Sequence, residues 1–284
     1  SPQLLCRIHD FHPQKQMGQN FLADPATAQM IVDRAGLQPD DVVVEIGPGL
    51  GALTLLLART VRTVVAIEKD RVLARILGEE LINADVGNVR ILEADVLETD
   101  LTAIARAAGR PLTVVGNLPY NISSQVVVRL IAARPQIARA VLMFQKERAP
   151  RRRAAPGGRD YGRITAMLRY CAVVRRVATV TASRFFPSPA VDSEVLEICF
   201  RQPTAYPAHD EARLFRLIAA AFGQRRKTLK NALSAADLPI QPEALVQALL
   251  QAGIDPARRA ETLAPEEFVA LEVSLQRIIG WRDA

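Results

Sequence analysis

Four short stretches carry side chains that accept hydrogen bonds, each at or shortly after a strand-like run. Glu45-Ile46-Gly47-Pro48-Gly49-Leu50-Gly51 follows three valines, Glu68 ends Thr63–Ile67, Asp95 follows Val89–Leu92, and Asn117-Leu118-Pro119-Tyr120 follows Leu112–Gly116. The glycines let backbone pass close to a ligand, and the helix expected after them offers unpaired N–H groups at its start. Gly47, Gly49 and Ala52 also satisfy the loose dinucleotide spacing G-x-G-x-x-G/A, so the turn alone does not choose its ligand. Glu68 stands 21 positions after Gly47, where a nucleoside-binding unit places a carboxylate for ribose hydroxyls. Asp95 adds a second acid at a neighbouring strand tip. Two such acids suit hydroxyl and amine donors but repel a pyrophosphate, which favours a nucleoside without one.

The fourth stretch suits chemistry on an exocyclic base amine. Such an amine is a poor nucleophile because its lone pair is delocalised into the ring. The Asn117 amide oxygen and a backbone carbonyl beside it, at Leu118, can accept the two amine hydrogens and favour pyramidal geometry. Tyr120 can stack on the ring of a base lifted out of its RNA context.

These residues need a frame. Val42–Ile46 is β-branched and apolar enough for a strand buried on both faces, as in a parallel sheet. Strands over 42–46, 63–67, 89–92, 112–116 and from Ala140 alternate with helical patterns, including Ala52–Arg59 and Val72–Leu81. Asp24-Pro25 reads as the cap and first residue of a helix running to Gly36. In a doubly wound sheet the loops at the carboxyl ends of the strands line the crevice, so Glu68 and Asp95 face one ligand. Pro150 argues against a regular helix at 148–153, within a basic segment that includes Arg151, Arg152 and Arg153. Residues 202–207 read as a linker, and helices follow at Glu211–Phe222, Lys227–Ala235, Pro242–Gln251 and Pro265–Ile279.

Composition narrows the class. The 284 residues are 49% apolar and 23% charged, ordinary for a soluble globular protein, and no apolar run is long enough to span a bilayer. Arg7, His9, Asp10, His12 and Lys15 break up the start of the chain, which is unlike a signal peptide. Cys6, Cys171 and Cys199 are scattered without a C-x-x-C pair, which argues against disulfides or a zinc site and for the cytoplasm. A net charge of +6 makes a polyanion a plausible partner, and Arg225, Arg226, Lys227 and Lys230 cluster its positive charge.

Together with Gly18-Gln19-Asn20-Phe21-Leu22 near the start, these motifs resemble the small-subunit ribosomal RNA adenine dimethyltransferase family. The likeness continues through Phe185-Phe186-Pro187-Ser188-Pro189, Phe222–Thr228 and Gly253–Glu261, and so covers nearly the whole chain. It implies an α/β fold: a Rossmann-like S-adenosylmethionine-dependent methyltransferase sheet over residues 1–202, its last strand antiparallel. A smaller, all-helical RNA-binding domain is expected over 203–284.

By matching position, Asn20, Leu22, Gly47 and Gly49 belong to the donor pocket. Glu68 binds its ribose, Asp95 its adenine amine, and Asn117 lies between donor and target. Phe185 stacks on the target base opposite Tyr120. The expected substrate is small-subunit RNA in an immature subunit, met by a monomer with neither metal nor membrane. Direct in-line transfer needs no covalent enzyme intermediate.

Three rivals fit less of the chain. A large-subunit adenine methyltransferase conferring macrolide resistance does not explain the long match in the C-terminal third. A non-catalytic RNA-binding assembly or transcription factor has no need of Glu68, Asp95 and Asn117–Tyr120. A nicotinamide dehydrogenase lacks a marked hydride site.

Overall fold

The structure, a computed structural model, describes residues 1–14, 18–119, 121–147, 149–202 and 204–280. In chain order its first elements are α1 (Pro2–Ile8), β1 (Phe21–Leu22), α2 (Pro25–Arg34), β2 (Val42–Ile46), α3 (Thr54–Thr60), β3 (Thr63–Glu68) and α4 (Arg71–Asn83). Then come β4 (Val89–Glu93), α5 (Leu101–Ala108), β5 (Leu112–Asn117), α6 (Ser123–Ala132), β6 (Ile137–Gln145), α7 (Ala149–Arg153) and α8 (Arg163–Cys171). The chain ends with β7 (Ala172–Val180), β8 (Phe185–Phe186), β9 (Ser193–Phe200), α9 (Glu211–Ala221), α10 (Leu229–Ser234), α11 (Pro242–Gln251) and α12 (Pro265–Ile279).

One seven-stranded sheet runs β4-β3-β2-β5-β6-β9-β7. Its first five strands are parallel and β9 lies antiparallel to β6, as the family resemblance implies. Central β2 is buried along its whole length, which accounts for its run of valines. Aspartates start the covering helices: Asp24, Asp70 and Asp100 accept backbone N–H groups of α2, α4 and α5. A separate ribbon pairs β1 with β8. Among the described residues no helix is long and apolar enough to cross a membrane.

Contacts divide the chain into two units: Ser1–Ala149 with Val174–Phe200, and Pro150–Val173 with Arg201–Ala284. The expected boundary at 202/203 lies beside the last crossing, but 150–173 goes with the C-terminal helices. Aromatic packing explains why. Tyr161 lies 6.0 Å from Phe222, which meets Phe268 at 6.2 Å, and Tyr170 meets Phe215 edge-on at 5.8 Å. Buried Glu272 of α12 accepts the backbone N–H groups of His209 and Asp210 and so anchors the entry to α9.

Two local expectations fail. Ala149–Arg153 is a short helix despite Pro150, because the proline falls in its first turn, where a backbone N–H has no partner within the helix. The helix expected from Lys227 begins at Leu229, since Thr228 turns its hydroxyl to the Asn231 N–H as the cap. Arg225, Arg226 and Lys227 therefore stand in the preceding turn, and only Lys230 of the cluster is helical.

Candidate active site

Strand register sets the site. Ile46 pairs with Ile67 on one side and with Gly116 on the other, so Gly47, Glu68 and Asn117 follow in one row at the carboxyl edge of the sheet. Glu68 in turn pairs with Glu93, and Asp95 comes two residues later. The chain leaves β2 through Gly47 and Gly49 with φ of 68° and 55°, in the left-handed region that favours glycine. A Cβ on Gly49 would stand 2.9 Å from the Phe21 ring.

These elements enclose a cavity of about 330 Å³ whose lining includes Asn20, Leu22, Gly47, Gly49, Glu68, Asp95 and Asn117. Glu68 accepts the Gly49 N–H at 3.1 Å and the Asp70 N–H at 3.0 Å, so it braces the glycine turn from beneath. Burial raises its carboxyl above the ordinary range, against those two bonds. Asp95 accepts the Leu97 N–H and the Lys69 ammonium, each at 2.8 Å, and the Lys69 bond holds its carboxyl below the usual range. Asn117 donates its Nδ2 to the Asn20 carbonyl at 2.9 Å, which leaves Oδ1 as the side chain's acceptor.

The acid inside the glycine motif is part of the same cavity. Glu45 is 1% exposed, and burial raises its pKa to about 8 against the Thr54 hydroxyl beside it, with Glu68 adding repulsion. Its Oε2 has no hydrogen-bond partner among the described residues. The motif alone gives Glu45 no role, although a lone acid in an otherwise apolar, doubly buried strand is itself a signal. Lys69, directly after Glu68, is missed by sequence reasoning as well.

Other expectations change. Phe185 is only 4% exposed: its pairing with Leu22 turns it into the core with Val115, Met143 and Val195, so it offers no face to a base. The Leu118 side chain is likewise buried, leaving its backbone to act. Tyr120 lies outside the described residues. Arg152 does not reach a phosphate as the sequence suggests: the α7 turn buries it at 6% exposure, while Arg153 is half-buried. Arg151 is exposed but pairs with Asp160 at 3.5 Å.

Arg225 is already engaged, with Glu261 at 3.0 Å and with the carbonyls of Arg159 and Tyr161. Arg226, Lys227 and Lys230 are exposed.

The family described as ribosomal RNA adenine dimethylase matches residues 10–277. The chain belongs to that family. Ribosomal RNA small subunit methyltransferase A of Desulforapulum autotrophicum is 48% identical over 279 residues, covering 98% of both proteins. Its namesake in Myxococcus xanthus is 41% identical, over 97% of this chain and 95% of the relative.

Among solved structures, a dimethyladenosine transferase from Plasmodium falciparum shares the fold with a TM-score of 0.75. It is 24% identical and covers 90% of this chain and 98% of its own. The 23S rRNA methyltransferase ErmE aligns at 0.65 with 28% identity, over 90% of this chain and all of its own.

Membership in the family makes this an enzyme whose methyl donor is S-adenosylmethionine. The cavity fits that donor. It offers apolar walls at Leu22, Leu50 and Ile122, and carboxylates at Glu68 and Asp95 for hydroxyl and amine donors.

Proposed function

We propose that this chain methylates the exocyclic amines of two adjacent adenines near the 3′ end of small-subunit (16S) ribosomal RNA, as a step in small-subunit maturation. The observation that carries this reading is the cavity that joins the glycine turn, Glu68, Asp95 and Asn117. Asn20, Leu22, Gly47 and Gly49 wall the donor pocket, Glu68 accepts from the ribose, and Asp95 accepts from the adenine amine. When bound, S-adenosylmethionine supplies an electrophilic methyl carbon on a sulfonium.

Asn117 acts at the target amine. Its Nδ2 is committed to the Asn20 carbonyl, so its Oδ1 accepts one amine hydrogen and the Leu118 carbonyl accepts the other. Held this way, the nitrogen lone pair is drawn out of conjugation and kept in line with the methyl carbon. The amine proton becomes acidic only as the new bond forms, so orientation rather than a strong base supplies much of the acceleration. Tyr120 stacks on the target ring. Phe185, buried in the core, keeps β8 against β1 instead.

The helical unit, with Arg226, Lys227 and Lys230, holds the RNA of an immature small subunit, and the protein acts as a cytoplasmic monomer. The test supplies labelled donor to unmodified small and large ribosomal subunits, followed by reverse transcription. Label confined to small subunits, with stops at two adjacent adenines, is the expected result. Label on large subunits alone would overturn the reading.

A further inference from the structure

We propose that Lys69 is a positioning residue for the nucleoside end of the donor site, where its ammonium fixes the Asp95 carboxylate for the donor's amine. The inference rests on the S-adenosylmethionine reading of the cavity. Lys69 and Asp95 both line that cavity, their Nζ and Oδ2 are 2.8 Å apart, and no other cation pairs with Asp95 among the described residues. The Leu97 N–H holds the other oxygen at 2.8 Å, so the carboxylate is anchored from two directions and its plane is set before a ligand arrives. Each oxygen keeps a further lone pair to accept an N–H.

Charge decides the sign of the effect. Glu68 already places one buried carboxylate in the cavity, and Asp95, 19% exposed, adds another. An adenine is neutral, so covering an unpaired Asp95 with it would strip water from a charge and offer nothing of opposite sign in return. The Lys69 ammonium offers that charge. Its side chain is 66% exposed and stays solvated while one hydrogen points at Asp95, so the pair closes at little desolvation cost. The opposite view, that the ammonium competes with the ligand for Oδ2, predicts the reverse effect of removing it.

Calorimetry with S-adenosylhomocysteine separates these cases, using wild type, Lys69→Met, Lys69→Arg, Asp95→Asn and the Lys69→Met/Asp95→Asn double variant. Lys69→Met keeps the apolar stem and removes the charge. It should weaken binding about three- to tenfold, the range for one charge-assisted hydrogen bond at a part-exposed site. Lys69→Arg should restore most of that loss. In the Asp95→Asn background the Lys69→Met change should cost almost nothing, because no carboxylate remains to be positioned.

Unchanged or tighter binding by Lys69→Met would overturn the proposal, as would an equal loss in the Asp95→Asn background. Absence of binding to wild type would overturn the donor reading itself.

Discussion

Asn117 and Glu45 do their work by opposite means, one through a hydrogen bond made and the other through a bond left open. The Asn117 amide is fixed by its donation to the Asn20 carbonyl, so its oxygen is held in one orientation, the one the proposed reaction uses. Asn117→Ala should leave S-adenosylhomocysteine and RNA affinities nearly unchanged while single-turnover methylation falls by about 10²-fold or more, as for loss of an oriented polar group. Near-normal turnover would assign the positioning to the backbone alone. Glu45 acts on stability instead. The folded chain holds its proton to about pH 8, whereas the ordinary value is 4.5. Below 4.5 both states are protonated and this contribution to stability is complete. Between 4.5 and 8 the unfolded chain releases the proton first, so folded stability declines as pH rises through that window. Glu68, also raised, adds to the decline. Thermal midpoints of the donor-free protein should therefore fall from pH 5.5 to pH 8, and Glu45→Gln should make the fall shallower. An identical slope in the variant would mean that Glu45 is ionised in the fold. Glu68, Asp95 and Asn117 are legible because each stands at or just beyond a strand-like run, and strand ends are where a parallel sheet binds. Glu45 and Lys69 are not, since their roles depend on neighbours that only the folded register brings close.

Elements are most readable where one physical rule governs them alone. The strand-turn-helix at Val42–Thr60 follows from a doubly buried valine run broken by glycines, and Asp24-Pro25 announces the start of α2. Phe185-Phe186 shows the limit. Two adjacent phenylalanines in a two-residue strand point to opposite faces, and the sequence does not say which one enters the core. Pairing with Phe21-Leu22 decides it: Phe185, opposite Leu22, is buried, and Phe186, opposite Phe21, is half-buried. The same ribbon limits the glycine turn, because Phe21 lies against Gly49. Gly49→Ala would force a side chain into left-handed backbone, a cost of about 1–2 kcal/mol, before any contact with the Phe21 ring is counted. The expected outcome is a lower thermal midpoint together with weakened S-adenosylhomocysteine binding. A variant with wild-type values for both would show that the turn relaxes without disturbing the donor pocket.

For the molecule as a whole, a charge of +6 says that an anionic partner is favoured but not where it docks. By sequence, Arg225, Arg226, Lys227 and Lys230 form one cluster. The structure sorts them by what they touch. Arg225 spends its guanidinium on Glu261 and on the carbonyls of Arg159 and Tyr161, all within the helical unit. Arg226, Lys227 and Lys230 are exposed, in and just after the turn that Arg225 braces. Two kinds of defect should therefore separate. Arg225→Ala removes the guanidinium that donates to the Glu261 carboxylate and to two carbonyls, so its main effect should be on stability, about 1–2 kcal/mol for a part-exposed network of this kind. The triple variant Arg226→Ala/Lys227→Ala/Lys230→Ala should melt like wild type but bind small subunits more weakly. Its log–log salt slope should be shallower by roughly 0.7–0.9 for each phosphate that the variant no longer neutralises. Donor affinity should hold in the triple variant, because all three side chains lie outside the donor cavity. Binding across a salt series, with thermal melts of both variants, checks the division of labour. If the triple variant kept the wild-type slope, this face would be solvated rather than RNA-facing. If Arg225→Ala instead flattened the slope without lowering stability, its guanidinium would leave Glu261 for a phosphate when RNA binds.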